Sequence, residues 1–157
     1  MTASPPPAGH RVYVLDASAM VAYGDLEPGW SFVQSALDDP NGSCYAHAVN
    51  LFEVYYQARR DSGEASAQSA VEAVVSLGIG IREDMDRPFW EMAGRLKADY
   101  AIAPPDCFGI ALAQRLGGQF LTADHQELDP LEAAGFPITF IRTDGESKAW
   151  KAAHPRP

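Results

Sequence analysis

A chain of 157 residues, 46% of them hydrophobic, is long enough to bury one sizeable core, so it is expected to be a globular domain rather than a disordered or fibrous chain. Its 21 Asp and Glu against 12 Lys and Arg give a net charge of -9, which excludes the broad basic surface of a non-specific nucleic-acid binder. It does not exclude an enzyme acting on nucleic acid whose acidity is concentrated in a metal site.

No apolar run approaches the roughly 18 residues that span a bilayer, and Met1 to Gly9 has neither the basic nor the apolar part of a signal peptide. Two cysteines, Cys44 and Cys107, fit a reduced, cytoplasmic setting better than a disulfide scaffold. No association with a membrane is expected.

In chain order, residues 1–10 carry Pro5-Pro6-Pro7 and nothing to bury, and are expected to be a disordered leader. Arg11 to Leu15 is a short apolar run that stops at Asp16, the pattern of a buried strand ending in a carboxylate. A short helix follows to Gly24, and a second over Pro28 to Leu37 is stopped by Pro40-Asn41-Gly42. Ser43 to Ala46 is a weak strand. Ala48 to Arg60 is predicted as a helix apolar around most of its circumference, with Glu53 inside it. A helix over Glu64 to Leu77, a strand over Gly78 to Arg82 and a helix over Met85 to Tyr100 come next. Pro104-Pro105 opens a helix containing Asp106, since proline is tolerated in a first turn. Gln119 to Ala123 is a strand that again ends in a carboxylate, Asp124. A short helix over Leu128 to Ala134 and a strand over Pro137 to Ile141 complete an 11–142 domain, and 143–157 reads as a polar tail or docking segment. Strands alternating with helices predict parallel βαβ units in a three-layer α/β/α sandwich.

Two strands ending in Asp16 and Asp124 bring both carboxylates to the same sheet edge if both are central and parallel. Asp106 and Glu53 are placed to join them. Four carboxylates in one cleft repel one another, and a divalent cation such as Mg²⁺ or Mn²⁺, which prefers oxygen ligands, resolves the conflict. Such a site suits phosphodiester hydrolysis.

The residues Val14-Leu15-Asp16-Ala17-Ser18-Ala19, Ala48-Val49-Asn50-Leu51-Phe52-Glu53-Val54, Pro105-Asp106 and Leu121-Thr122-Ala123-Asp124 resemble, in order and spacing, the PIN domain, and in particular VapC-type toxin ribonucleases of toxin-antitoxin pairs. The resemblance implies a central five-stranded parallel sheet and an Mg²⁺- or Mn²⁺-dependent ribonuclease. It implies that Asp16, Glu53, Asp106 and Asp124 form the acidic quartet that holds metal and carries catalysis. Ser18 and Thr122 then fall on small hydroxyl positions near the metal, and Asn50 on a polar position one turn before Glu53. It further implies an RNA substrate, a cognate antitoxin and a homodimer. Pro105 departs from the Ser or Ala that the family often has before its third acid.

Plainer readings stand beside these. Asp16, Asp106 and Asp124 can each serve as an ordinary helix cap. His47 and His125 are expected to be surface or packing residues, because an oxygen-rich site has little use for imidazole. Cys107 is expected to be a small core residue, and Asp129 a solvated loop acid. Arg59, Arg60, Arg95, Lys97 and Arg115 either guide RNA or line solvated helix faces. Tyr23, Trp30, Phe52, Tyr55 and Tyr56 are expected to be mainly core, with the alternative that some of them form an exposed groove, which in the family resembled holds an antitoxin helix. The alternatives in function are a Mg²⁺-binding receiver-like signalling domain and a catalytically silent PIN-like scaffold. The receiver requires a lysine after the last strand, where this chain has Arg142, and paired acids after the first, where it has Ala17 and Ser18.

Overall fold

The computed structural model describes residues 8–156, so seven of the ten residues of the leader expected over 1–10 lie outside the described residues, while His10 is bonded to Ser43 at the start of the sheet. Five strands form one sheet: β1 (Arg11–Leu15), β2 (Gly42–His47), β3 (Gly80–Arg82), β4 (Gln119–Thr122) and β5 (Ile138–Phe140). They lie in the order β3-β2-β1-β4-β5, and every adjacent pair is parallel. This is the expected α/β architecture. Side-chain alternation explains why the central strands look uniformly apolar: Val12, Val14 and Phe120 face one helical layer while Leu15 and Leu121 face the other.

The first layer consists of α5 (Arg87–Asp99), α6 (Pro104–Leu116) and α7 (His125–Ala133). The opposite layer holds α1 (Ala17–Gly24), α2 (Trp30–Leu37) and α4 (Glu64–Ser76), with α3 (Ala48–Ser62) contributing Val54 to its core. From β1 the chain moves outward to β2 and β3, then returns across the sheet so that β4 pairs with β1 on its other side. The crevice between the carboxyl ends of β1 and β4 is therefore a topological switch point, the place where open α/β sheets bind ligands.

Several elements differ from expectation. Pro105 does not delay α6, which starts at Pro104 with both prolines in its first turn, where their missing N–H groups cost nothing. The helix expected from Leu128 begins at His125, capped by Asp124, and runs through Pro130. The expected tail contains a further helix, α8 (Asp144–Ala153), started by a capping box in which Thr143 and Glu146 satisfy each other's backbone N–H. The third helix is not buried around its circumference. Only Asn50 and Val54 are buried on it, and Phe52 is 60% exposed, tilted against Tyr56. Among the described residues, no helix is long and apolar enough to cross a membrane.

Helix α6 lies close to the sheet because Gly109 has no side chain. A Cβ there would stand 2.2 Å from Phe120 Cε2 and 3.0 Å from Asn50 Oδ1. Phe120 is wholly buried and has no free space to turn into. Gly109→Ala is therefore expected to destabilise the fold by about 2 kcal/mol despite alanine's better helix propensity, because overpacking outweighs it. A urea denaturation midpoint unchanged by the substitution would contradict this packing.

Candidate active site

Asp16 ends β1 and caps α1. Its Oδ1 accepts from Ala19 N at 2.7 Å and from Ser18 Oγ at 2.7 Å, and its Oδ2 accepts from Thr122 Oγ1 at 2.5 Å. The cap reading is thus correct but accounts for only one of three hydrogen bonds. The other two bind it to the neighbouring strand: Ser18 Oγ accepts from Ala123 N at 2.8 Å, and Thr122 Oγ1 accepts from Asp124 N at 3.0 Å. Two hydroxyls thereby stitch the end of β1 to the end of β4. Asp16 is only 3% exposed.

Asp124 caps α7, accepting from Gln126 N at 3.1 Å. Asp106 is buried in the first turn of α6, but the cap of that helix is Ala103, so the cap expectation fails here. Asn50 reaches from α3 to donate to Pro105 O at 3.1 Å, tying α3 to the residue before Asp106. Asn50 Oδ1 is buried with no hydrogen-bond partner. Glu53 lies one turn further along α3, half-buried, and its Oε1 accepts only from Gln57 Nε2 at 3.3 Å.

The acids act on one another as like charges. Burial raises the Asp16 carboxyl above its ordinary range, and Asp124 adds to it, against the three hydrogen bonds that favour the carboxylate. Glu53 is pushed up to about 7, first by burial and then by Asp16 and Asp124. Asp106 is raised most clearly, by burial and then by Asp16, Glu53 and Asp124. Each of these three acids thus feels at least one other of the four as a like charge.

Glu127, which sequence reasoning passed over, belongs to the same cluster. It adds to the raised values of Glu53 and Asp106, and its Oε2 accepts from Ala103 N at 3.1 Å, closing the open start of α6. The signal was present in the sequence: Asp124 followed three residues later by Glu127 is a capping-box spacing.

The remaining candidates separate clearly. His47 is a core residue, packed against both Phe89 and Phe108, which also stack on each other, with its Nδ1 accepting from Val49 N and its Nε2 donating to Asp84 O. His125 stacks on Phe140 and bonds Asp129 and the Arg142 carbonyl, with Asp129 on α7 rather than in a loop. Cys107 is buried, and burial pushes its thiol up to about 11, so it has no nucleophilic character near neutral pH. Arg59, Arg60 and Arg115 are committed to Glu64, Asp61 and the Asp84/Asp86 pair. Arg95 and Lys97 are exposed on α5 and form no ion pair among the described residues.

A model of the PIN domain family matches residues 13–130. The chain belongs to the PIN-domain family. This PIN domain is similar to several solved structures: VapBC2 from Rickettsia felis bound to a DNA fragment from its promoter (14% identity, TM-score 0.63, covering 82% of this chain and 98% of that one) and VapBC from Salmonella typhimurium, also bound to DNA (16%, 0.63, 83% and 98%). It is also similar to VapC20 from Mycobacterium tuberculosis, a sarcin-ricin loop cleaving toxin (17%, 0.60, 79% and 95%). At these identities the likeness is one of fold. A search of curated proteins finds no match.

The acids of this PIN domain suit a hard, oxygen-preferring cation by donor chemistry: four carboxylates, three of them with raised pKa values. Among the described residues, however, no group of three or more His, Cys, Asp or Glu side chains is placed to hold one ion between them. That spacing is compatible with Mg²⁺, which commonly takes one or two carboxylates and keeps several waters. The receiver alternative is weakened further by Arg142, whose guanidinium is spent on Glu27, Pro28 O and Ser147.

Proposed function

We propose that this PIN domain is a metal-dependent endoribonuclease, the toxin of a toxin-antitoxin pair, with Asp16, Glu53, Asp106 and Asp124 as the residues that hold Mg²⁺ or Mn²⁺ and carry catalysis. The observation that supports the reading is the set of mutually destabilised carboxylates at the β1/β4 crevice, whose repulsion is relieved either by protonation or by a bound cation. When bound there, the ion supplies charge neutralisation and an activated water.

The chain's own residues divide the remaining work. Asp16 is held rigid by Ser18, Thr122 and Ala19 N and fixes the floor of the cleft. Asn50 and Glu127 fix the start of α6, and so the place of Asp106. Glu53, held by Gln57 alone, is the carboxylate free to reorient as an RNA strand enters. A toxin of this kind works with partners: the VapBC structures of like fold support an antitoxin, and a second copy of the chain is what the family resemblance implies. The exposed Phe52 and Tyr56 on α3 are candidates for such a contact.

Incubation of the purified protein with RNA and Mn²⁺ tests the reading. Cleavage is expected, is expected to stop with EDTA and return with excess Mn²⁺, and is expected to be absent from Asp106→Asn. Cleavage that persists in EDTA would refute metal dependence. Cleavage unchanged in Asp106→Asn would refute the assigned site.

A further inference from the structure

Helix α8 lies beyond the residues matched by the family model and contributes almost nothing to the core, since Ser147 is its only buried residue. It is nevertheless fixed to the site. Ser147 Oγ donates to Ala123 O at 3.0 Å, at the very end of β4. Arg142, itself buried, donates from Nε to Ser147 Oγ at 2.8 Å and from its NH1 to Glu27 at 2.8 Å, clamping the start of α8 against the α1–α2 loop. From this anchor beside Asp124, one turn of helix carries the chain from Ser147 to Lys151, which lines a cleft shared with His125 and Gln126 at the start of α7. Arg156 follows three residues beyond the helix end. The arm therefore borders the acidic crevice at its Asp124 end.

Its charge is unlike that of the rest of the chain. From Thr143 to Pro157 there are three Lys and Arg (Lys148, Lys151, Arg156) against two acids (Asp144, Glu146), in a protein of net charge -9. Lys148 is occupied by Asp144 at 2.6 Å. Lys151 and Arg156 are exposed and form no ion pair among the described residues. A cleft of about 300 Å³ separates α8 from α7, lined by His125, Gln126, Ser147 and Lys151 together with Asp129 and Asp144, whose carboxylates are taken up by His125 and Lys148. Beside the two free cations, Trp150 and His154 stack with ring centroids 3.7 Å apart, offering an aromatic face to a base.

We infer that α8 and the residues to Arg156 form an arm that grips the phosphate backbone of the RNA strand, with Lys151 and Arg156 as its contacts. The inference rests on the ribonuclease reading for the identity of the strand. It explains how an acidic protein draws a polyanion to an acidic cleft: the arm supplies local positive charge at the rim, while of the earlier candidates Arg59, Arg60 and Arg115 are already paired elsewhere and only Arg95 and Lys97, on α5, are free of ion pairs among the described residues.

Fluorescence anisotropy with a labelled single-stranded RNA, over a series of KCl concentrations, tests the arm in the full chain. The Lys151→Gln/Arg156→Gln variant is expected to bind about tenfold more weakly, with a salt slope shallower by about 1.4, the loss of two phosphate contacts on a single strand. An Arg95→Gln/Lys97→Gln variant, which changes net charge equally on α5, is expected to bind as the parent does. Equal losses in both variants would reduce the effect to net charge and overturn the arm. A parent that cleaves RNA while the arm variant keeps its affinity and slope would overturn the arm alone, assigning α8 to another partner and leaving the ribonuclease reading intact. A parent that neither binds nor cleaves RNA would overturn both.

Discussion

Asp16→Asn is expected to lower RNA cleavage by at least about a thousandfold while leaving the melting temperature of the metal-free protein unchanged or higher. Asparagine preserves the local hydrogen bonds, because its Oδ1 still accepts from Ala19 N and Ser18 Oγ and its Nδ2 can donate to Thr122 Oγ1, where the carboxylate accepted. What it removes is a buried charge whose burial is unfavourable and which raises both Glu53 and Asp106. Loss of function thus coincides with relief of strain. A cap-only role predicts the opposite pattern, with cleavage intact. Single-turnover cleavage and a thermal melt on the same preparation distinguish the two, and a variant that retains parental cleavage would remove Asp16 from the chemistry.

The metal-free protein is expected to lose stability as pH rises, and Mn²⁺ is expected to restore it. Glu53 has an ordinary value of 4.5 and is raised to about 7 in the folded state, so between these values the folded chain holds a proton that the unfolded chain has released. Stability then falls with increasing pH through that window, and Asp16 and Asp106, raised in the same direction, steepen the fall. The melting temperature without metal is expected to drop by several degrees from pH 5 to pH 8. Added Mn²⁺ is expected to raise it more at pH 8 than at pH 5, because the ligands must be deprotonated to bind. A pH-independent melt, or one indifferent to millimolar Mn²⁺, would show that the carboxylates do not share a site.

The sheet and the first two acids were legible because their signals are local. A β-branched run ended by Asp16, and a second ended by Asp124, are complete statements in sequence, and alternation with helices makes the strands parallel. Helix α8 was hidden because it is stabilised by a capping box and one buried serine rather than by an apolar stripe, and Gly145 in its first turn resembles a loop residue. An exposed aromatic groove was among the alternatives, but which residues form it was illegible for a different reason: composition reports that a helix is apolar, and only the packing of its neighbours decides that Phe52 and Tyr56 are left uncovered. The same holds for Asn50. Its position before Glu53 was visible, but its bond to Pro105 O joins segments 55 residues apart. Glu127 was overlooked because its cap spacing follows an aspartate already explained by the strand.

Because all five strands point the same way, the two poles of the molecule are unequal as places of attachment. His10 bonds Ser43 at 2.9 Å where β1 and β2 begin, on the far side of the sheet from Asp16 and Asp124. Arg156 lies at the other pole, close enough to Glu53 to alter its proton affinity. An affinity handle or surface tether joined ahead of residue 8 would leave the crevice open to solvent, whereas the same group joined after Arg156 would crowd its mouth. Orientation on a support is thus set by the polarity of the sheet.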